Sequence, residues 1–230
     1  MIRALALAVL LPALAYAEPV KPEMRPAAPT ALGVSLWPQL RPRELMQKFM
    51  ARREAAKRGS VCGDAEIQGV ALGPMAGRIA GCGIDQAVRV RSVRGVSLST
   101  EAVMDCRTAK ALKTWIVRGA EPTIGSTGGG LAGLRVYAHY ACRTRNNKPG
   151  GKISEHGRGR AIDIGGFILR DGREISVLDG WSGRNGPALR AMHKSACGPF
   201  GTVLGPGSDG HHGDHFHFDT ALYRSGPYCR

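Results

Sequence analysis

The sequence predicts an α+β fold in which a small antiparallel sheet carries flanking helices and is stapled by disulfides. Short runs of period-two alternation occur at Val88 and Val90, at Leu134, Val136 and Ala138, at Ile162 and Ile164, and at Phe216 and Phe218. Such alternation marks strands with one apolar face. Helical spacing falls mainly before and between these runs rather than alternating with each of them, which disfavours a wound α/β sheet. The six cysteines, Cys62, Cys82, Cys106, Cys142, Cys197 and Cys229, all lie beyond residue 60 and are even in number, as expected for a disulfide framework.

The elements follow in chain order. Residues 1–17 carry Arg3, an apolar run from Ala4 to Leu14, and Ala15-Tyr16-Ala17 before Glu18. That is the form of a secretory signal with an A-x-A cleavage site. The run is shorter than the ~20 apolar residues needed to span a bilayer, and nothing later reads as a membrane helix. The mature protein is therefore expected outside the cytoplasm, in the periplasm, where three disulfides can persist. Residues 18–59 form a linker with prolines at 19, 22, 26, 29, 38 and 42, followed by a basic amphipathic helix over Glu44–Arg58. Leu45, Met46, Phe49 and Met50 share one face of that helix, and Lys48, Arg52, Arg53, Lys57 and Arg58 lie elsewhere. A membrane surface could take such a helix, but Glu44 and Glu54 dilute that case, and packing of the apolar side on the domain is the expectation.

Residues 60–230 form the folded domain. Strands at Val88–Val93 follow a Gly81-Cys82-Gly83 turn. A helix is expected from an N-cap at Ser99 to Gly119, through Val103, Cys106, Ala109, Leu112 and Ile116. Gly125-Ser126-Thr127-Gly128-Gly129-Gly130 lacks the Gly-Lys-Ser/Thr ending of a phosphate-binding loop and reads as a plain loop. Beyond the strand at Leu134–Ala138 come a strand at Ile175 and Val177, a helix over Pro187–Ala196, a short strand at 201–205, and a turn at Pro206-Gly207-Ser208-Asp209-Gly210. Disulfide connectivity stays open, although Cys62 with Cys82 and Cys197 with Cys229 are neighbours in sequence. No C-x-x-C pair supports a cysteine zinc ribbon.

Formal net charge is +14 with a pI near 10.1, which favours polyanionic surroundings. Export and the lack of helix-turn-helix, zinc-finger or aromatic-rich RNA-binding patterns argue against nucleic acid. Anionic cell-envelope material is the expected partner, and the oligomeric state stays open.

Two stretches carry the chemistry. In Ser154-Glu155-His156-Gly157-Arg158-Gly159-Arg160-Ala161-Ile162-Asp163, an extended strand from Ala161 would bury Ile162 and Ile164 and turn Asp163 to a face of little bulk. In Asp214-His215-Phe216-His217-Phe218-Asp219, the phenylalanines share one face and His215, His217 and Asp219 the other. A catalytic zinc site keeps three protein ligands and one open position, and lowers the pKa of bound water to about 7. His156, Asp163 and His217 supply two imidazoles and one carboxylate for it. His215 shares the face of His217 and can act on the reacting groups without being a ligand. Asp219 is expected to support the ligands or end the strand, and Glu155 to point away from His156 into solvent. Singly, His139, His193 and His211 read as core or surface residues.

The motif pair Ser-x-His-x-x-Gly-x-Ala-x-Asp and Asp-His-x-His, at Ser154, His156, Gly159, Ala161 and Asp163 and at Asp214, His215 and His217, resembles that of the LAS metallopeptidases. This group joins lysostaphin-type enzymes, D-Ala-D-Ala metallopeptidases and the hedgehog fold, and Asp-His-Phe-His is most similar to the penicillin-insensitive murein endopeptidases. Over residues 60–230, with Cys142-Arg143-Thr144-Arg145-Asn146 added, the chain is similar to the bacterial extensin-like C-terminal family. The resemblance implies a hedgehog- or D-Ala-D-Ala-peptidase-like fold, zinc on His156, Asp163 and His217, and His215 as base or oxyanion stabiliser, with Asp214 second choice because an aspartate reaches less far than a glutamate. It implies that His212 stands near the site and that Arg143 and Ser154 contact the substrate. The activity it implies is a zinc-dependent peptidase or amidase-type hydrolysis of peptidoglycan stem peptides or cross-links. The alternative is a non-catalytic zinc-containing module that binds the cell envelope. Either way the site exists only if Asp163 and His217 face each other across neighbouring strands.

Overall fold

Alternating residues pair into a far larger sheet than the sequence suggested. The computed structural model describes residues 43–223 and 225–230; the expected signal peptide and the proline-rich linker lie outside them. Helix α1 (Arg43–Arg58) leads into strands β1 (Ser60–Val61), β2 (Asp64–Ala76), β3 (Gly83–Val93) and β4 (Val96–Asp105). Helix α2 (Cys106–Trp115) then runs through a π turn over Ile116–Ala120 into the short α3 (Glu121–Ile124). After these come β5 (Leu131–Ala138), β6 (Ala161–Leu169), β7 (Glu174–Ser176), α4 (Val177–Gly180), α5 (Gly186–Ala196), β8 (Thr202–Leu204), β9 (Phe216–Asp219) and β10 (Tyr228–Cys229). The 10 strands form one sheet in the order β1-β2-β3-β4-β5-β6-β9-β8-β10, with β7 on β6. Contacts are antiparallel except β4 with β5 and β8 with β10, which are parallel. A mixed α and β architecture with helices holds; the sheet is neither small nor wholly antiparallel.

The largest difference lies at Val96–Asp105, where a helix from Ser99 was expected. Val96, Leu98, Ala102 and Met104 are buried on alternate positions, a strand period, and Ala102 and Met104 pair with Val90 and Val88. The helical spacing through Val103 and Cys106 bridged two different elements. Ser99 instead accepts the Val136 backbone N–H through Oγ at 2.9 Å, tying β5 in place. The true cap is Asp105, whose carboxylate accepts Thr108 N–H at 2.7 Å. Val177 likewise begins α4 rather than prolonging β7.

Core residues gather behind β6 and β9. Trp115 is fully buried, donates its indole N–H to the Met192 carbonyl at 2.9 Å, and meets Phe218 edge-on at 5.0 Å. Phe216 packs against Trp181 and His193. Ile162 and Ile164 enter this apolar layer, leaving Asp163 on the other face as the alternation required. Gly165 must lack a side chain there, since a Cβ would run into the Tyr137 ring. Leu45, Met46, Phe49 and Met50 of α1 are exposed, so the expected packing of this face on the domain does not occur. No helix among the described residues is long and apolar enough to cross a membrane.

Disulfides join Cys62 to Cys106, Cys82 to Cys142 and Cys197 to Cys229. The last pairing agrees with sequence proximity; Cys62 with Cys82 does not. Between those two cysteines runs the 13-residue β2, which at ~3.3 Å per residue holds its ends about 40 Å apart. The Cys62–Cys106 bridge closes a loop of sequence separation 44, for which chain entropy gives about 4 kcal/mol of stabilisation. Urea unfolding of a C62S/C106S protein should report a loss of that order; a loss below about 1 kcal/mol would mean the bridge adds nothing beyond the surrounding packing.

Candidate metal centre

The two motif stretches meet through strand register. β6 pairs antiparallel with β9 so that Asp163 stands opposite His217 and Ala161 opposite Asp219. His156 arrives from a different kind of backbone, a 3₁₀ turn over Glu155–Arg158. Ser154 starts that turn, its Oγ accepting His156 N–H at 3.4 Å. Gly159 ends it in the left-handed conformation at φ 66°, where a Cβ would also strike Ile84. The turn is braced by the Asp105 N–H to Gly159 carbonyl bond of 2.8 Å and by the Ala141 N–H to His156 carbonyl bond of 3.3 Å. Glu155 therefore folds inward and is 6% exposed, against the expectation of a solvated side chain on an extended segment.

Donor atoms of His156, Asp163 and His217 lie within 4.8 Å of one another. His156 Nε2 is 3.2 Å from Asp163 Oδ2 and 3.2 Å from His217 Nδ1, and His217 Nδ1 is 2.8 Å from Asp163 Oδ1. Ligands about 2.0–2.1 Å from a tetrahedral zinc stand about 3.3 Å apart, so these separations fit such an ion. The outer nitrogens fit as well. His156 Nδ1–H donates to the His139 carbonyl at 2.7 Å, and a carbonyl only accepts, which leaves the Nε2 lone pair toward the other ligands. His217 Nε2 faces Asp219 Oδ2 at 3.2 Å, which leaves Nδ1 for the same point.

Charge points the same way. Asp163 and Asp219 are 6% and 4% exposed. Burial would raise the Asp163 carboxyl, but hydrogen bonds and charge from His156 and His217 hold it well below the usual carboxylate range. Burial would depress His217, but Asp163 and Asp219 override it and raise the imidazole to about 9. Two buried carboxylates against one imidazolium leave a deficit of one positive charge. A divalent cation that displaced the Nδ1 proton of His217 would bring the group to neutrality.

Two further histidines stand beside this group, each held by an aspartate. His215, at the entry to β9, donates Nδ1–H to Asp214 Oδ1 at 2.7 Å and places Nε2 3.8 Å from Asp163 Oδ2. His212 Nδ1 lies 2.7 Å from Asp209 Oδ1; its burial lowers its pKa although Asp209 opposes this. The His212 ring centre is 5.2 Å from that of His215 and 5.5 Å from that of His217. Ser154, Arg143 and His212 line one cleft of about 870 Å³ with the three candidate ligands and His215, so every residue singled out for substrate contact borders the same space. Asp209, Tyr223 and Tyr228, none of them among the sequence-predicted site residues, also line it, as do Asn146 and Asn147 of the segment that follows Cys142. Asp209 had a signal: it sits three residues before His212 and its carboxylate accepts His211 N–H at 2.7 Å, closing an Asx turn. Of the histidines set aside, His193 is half-buried against the Trp181 and Phe216 rings, His211 borders the cleft, and His139 matters through its carbonyl.

A family model described as the extensin-like protein C-terminus matches residues 61–230. No curated protein and no solved structure gives a match.

In metal-free protein the folded value of His217 lies above its unfolded one. Its contribution to stability is complete below about pH 6.5 and is lost as pH rises through about 9. Thermal melts of chelated protein between pH 6 and 10 should show Tm falling across that interval, and D163N should remove most of the fall. Parallel curves for the two proteins would mean that the pair is not coupled in this way.

Proposed function

We propose that this chain, which belongs to the extensin-like C-terminal family, is an exported zinc-dependent hydrolase of the peptidase or amidase type. Its substrate would be the stem peptides or cross-links of peptidoglycan, met in the periplasm. The observation that carries the proposal is one cleft holding a His, Asp, His donor set together with a histidine already oriented by a carboxylate. A nitrogen and oxygen set of three, with its outer atoms hydrogen-bonded, suits zinc with an open position. A sheet that presents two of the three donors on one face and takes the third from an adjoining turn also agrees with a hedgehog- or D-Ala-D-Ala-peptidase-like organisation, which belongs to the same proposal.

His156 through Nε2, Asp163 through its carboxylate and His217 through Nδ1 would hold the ion. When bound, zinc supplies Lewis-acid polarisation of a carbonyl and acidifies water. His215 does the proton transfer: with Nδ1–H committed to Asp214, Nε2 carries a lone pair toward the cleft, takes the proton of the attacking water and returns it to the leaving amine. Asp214 is thereby a positioning residue rather than a rival base. His212, fixed by Asp209, presents its other nitrogen where a substrate carbonyl or amine can be hydrogen-bonded. Arg143 and Ser154 border the cleft as contacts for substrate carboxylate and carbonyl groups.

Elemental analysis should find about one zinc per chain, lost in H217A, and D219N should weaken zinc binding by about 10–100-fold. Protein that takes up no metal at all would sink the proposal. Purified peptidoglycan incubated with the zinc-loaded protein should yield altered muropeptides. H215A should slow that digestion by about 10²–10⁴-fold with zinc content unchanged. A muropeptide profile that stays constant across pH, in a protein that nonetheless holds zinc and binds the wall, would favour a non-catalytic envelope-binding module instead.

A further inference from the structure

The arginines inside the first motif are not used by the metal group. Arg158 and Arg160 flank Gly159 and are fixed by the same turn that delivers His156. With Arg145 and Arg107 they line a second depression of about 430 Å³, which shares Arg145, Glu155 and Tyr223 with the metal cleft and therefore adjoins it. Among the described residues, two carboxylates line the depression with these four guanidinium groups, Glu155 and Asp105.

Those carboxylates leave the arginines underused. Arg145 and Arg158 both reach the same oxygen of Glu155, each at 3.5 Å, and Arg160 lies 3.9 Å from Asp105. Charge-assisted contacts of full strength are about 2.7–2.9 Å. Asp105 spends its other oxygen on capping α2. Arg107 has no ion pair among the described residues, and it sits in the first turn of α2, where the helix dipole disfavours a cation. Helix stability thus gives no reason for a guanidinium there. Glu155, 7% exposed at its side chain, is a buried strut for two arginines whose side chains stay 52% and 40% exposed at the rim.

We propose that this depression is an oxyanion subsite, in which Arg107, Arg158, Arg160 and Arg145 take a carboxylate or a phosphate carried by the molecule whose peptide bond occupies the neighbouring cleft. Guanidinium forks match the paired oxygens of both groups. An anion anchored away from the reacting bond supplies binding energy for positioning that bond. That the anion belongs to the substrate rests on the hydrolytic function proposed above; that the pocket binds an anion does not.

The two are separable by experiment. Chelated, metal-free mature protein labelled with ¹⁵N is titrated at low salt with inorganic phosphate and, separately, with a tri-glutamate peptide, following arginine Nε–H resonances. Arg107, Arg158 and Arg160 should shift together and saturably with at least one probe, and the probe with the lower Kd identifies phosphate or carboxylate as the source. An R107Q/R160Q protein, altered at two exposed positions, should bind that probe about ten-fold more weakly, whereas R89Q, a change on β3 outside both pockets, should not. Equal binding by the two variants, or small shifts spread evenly over all surface arginines, overturns the subsite. With zinc restored, R107Q should raise KM for peptidoglycan about ten-fold; an unchanged KM overturns the assignment of the anion to the substrate. Absence of hydrolysis by the unaltered protein would defeat the hydrolytic function and leave the metal-free titration to decide the pocket.

Discussion

Everything at the site depends on the register of β6 against β9. Pairing Asp163 with His217 puts a carboxylate and an imidazole from residues 54 apart on the same sheet face at 2.8 Å. Side chains alternate with a period of two, so a slip of one residue would send one of the partners into the phenylalanine layer. That layer is what prevents the slip. Ile162, Ile164, Phe216 and Phe218 are fully buried, and exposing them to gain another pairing would cost several times any alternative hydrogen bond. The hydrophobic core and the metal-ligating face are thus two consequences of one alternation.

A register alone supplies only two of the three donors. His156 comes from a turn, and turns must be fastened from outside. Ser154 caps it, Gly159 allows its left-handed end, and the Cys82–Cys142 bridge packs so closely that a Cβ on Gly157 would lie 3.0 Å from Cys82 Sγ. The disulfide therefore braces the ligand-bearing turn as well as closing a loop. The remaining bridges hold β1 and β10, the two ends of the sheet path, to α2 and α5. Short edge strands with few ladder bonds need such staples most.

Burying two carboxylates beside two imidazoles is costly unless the charges match. Here the outer atoms of each group are satisfied by protein: His139 carbonyl on His156, Asp219 on His217, and Ala221 N–H on Asp219 at 2.9 Å. What remains unsatisfied points inward to a common place. The adjoining arginine pocket shows the opposite economy, with cations in excess of the carboxylates that face them. A bound molecule spanning both would meet a cation-seeking group and an anion-seeking one within a short distance.

The strand alternation, the face on which Asp163, His217 and Asp219 lie, the helix over α5, the six-cysteine framework and the family resemblance over the C-terminal domain were legible along the chain. Each of these is written in local period or in motif spacing, which a chain carries whatever its neighbours do. Tertiary structure decided the rest. Val96–Asp105 became a strand because β3 offered backbone partners, overriding helical spacing that happened to cross an element boundary. Cys62 chose Cys106 because the length of β2 separated it from Cys82. Glu155 turned inward because the backbone around it is a turn rather than a strand, and Asp209 joined His212 across an Asx turn that polar residues only permit. The gathering of four arginines beside the metal group was likewise invisible, since α2, the Thr144–Asn147 segment and the His156 turn meet only when the sheet has folded. Local alternation fixes which way a side chain points; only the packing of distant elements fixes what it points at.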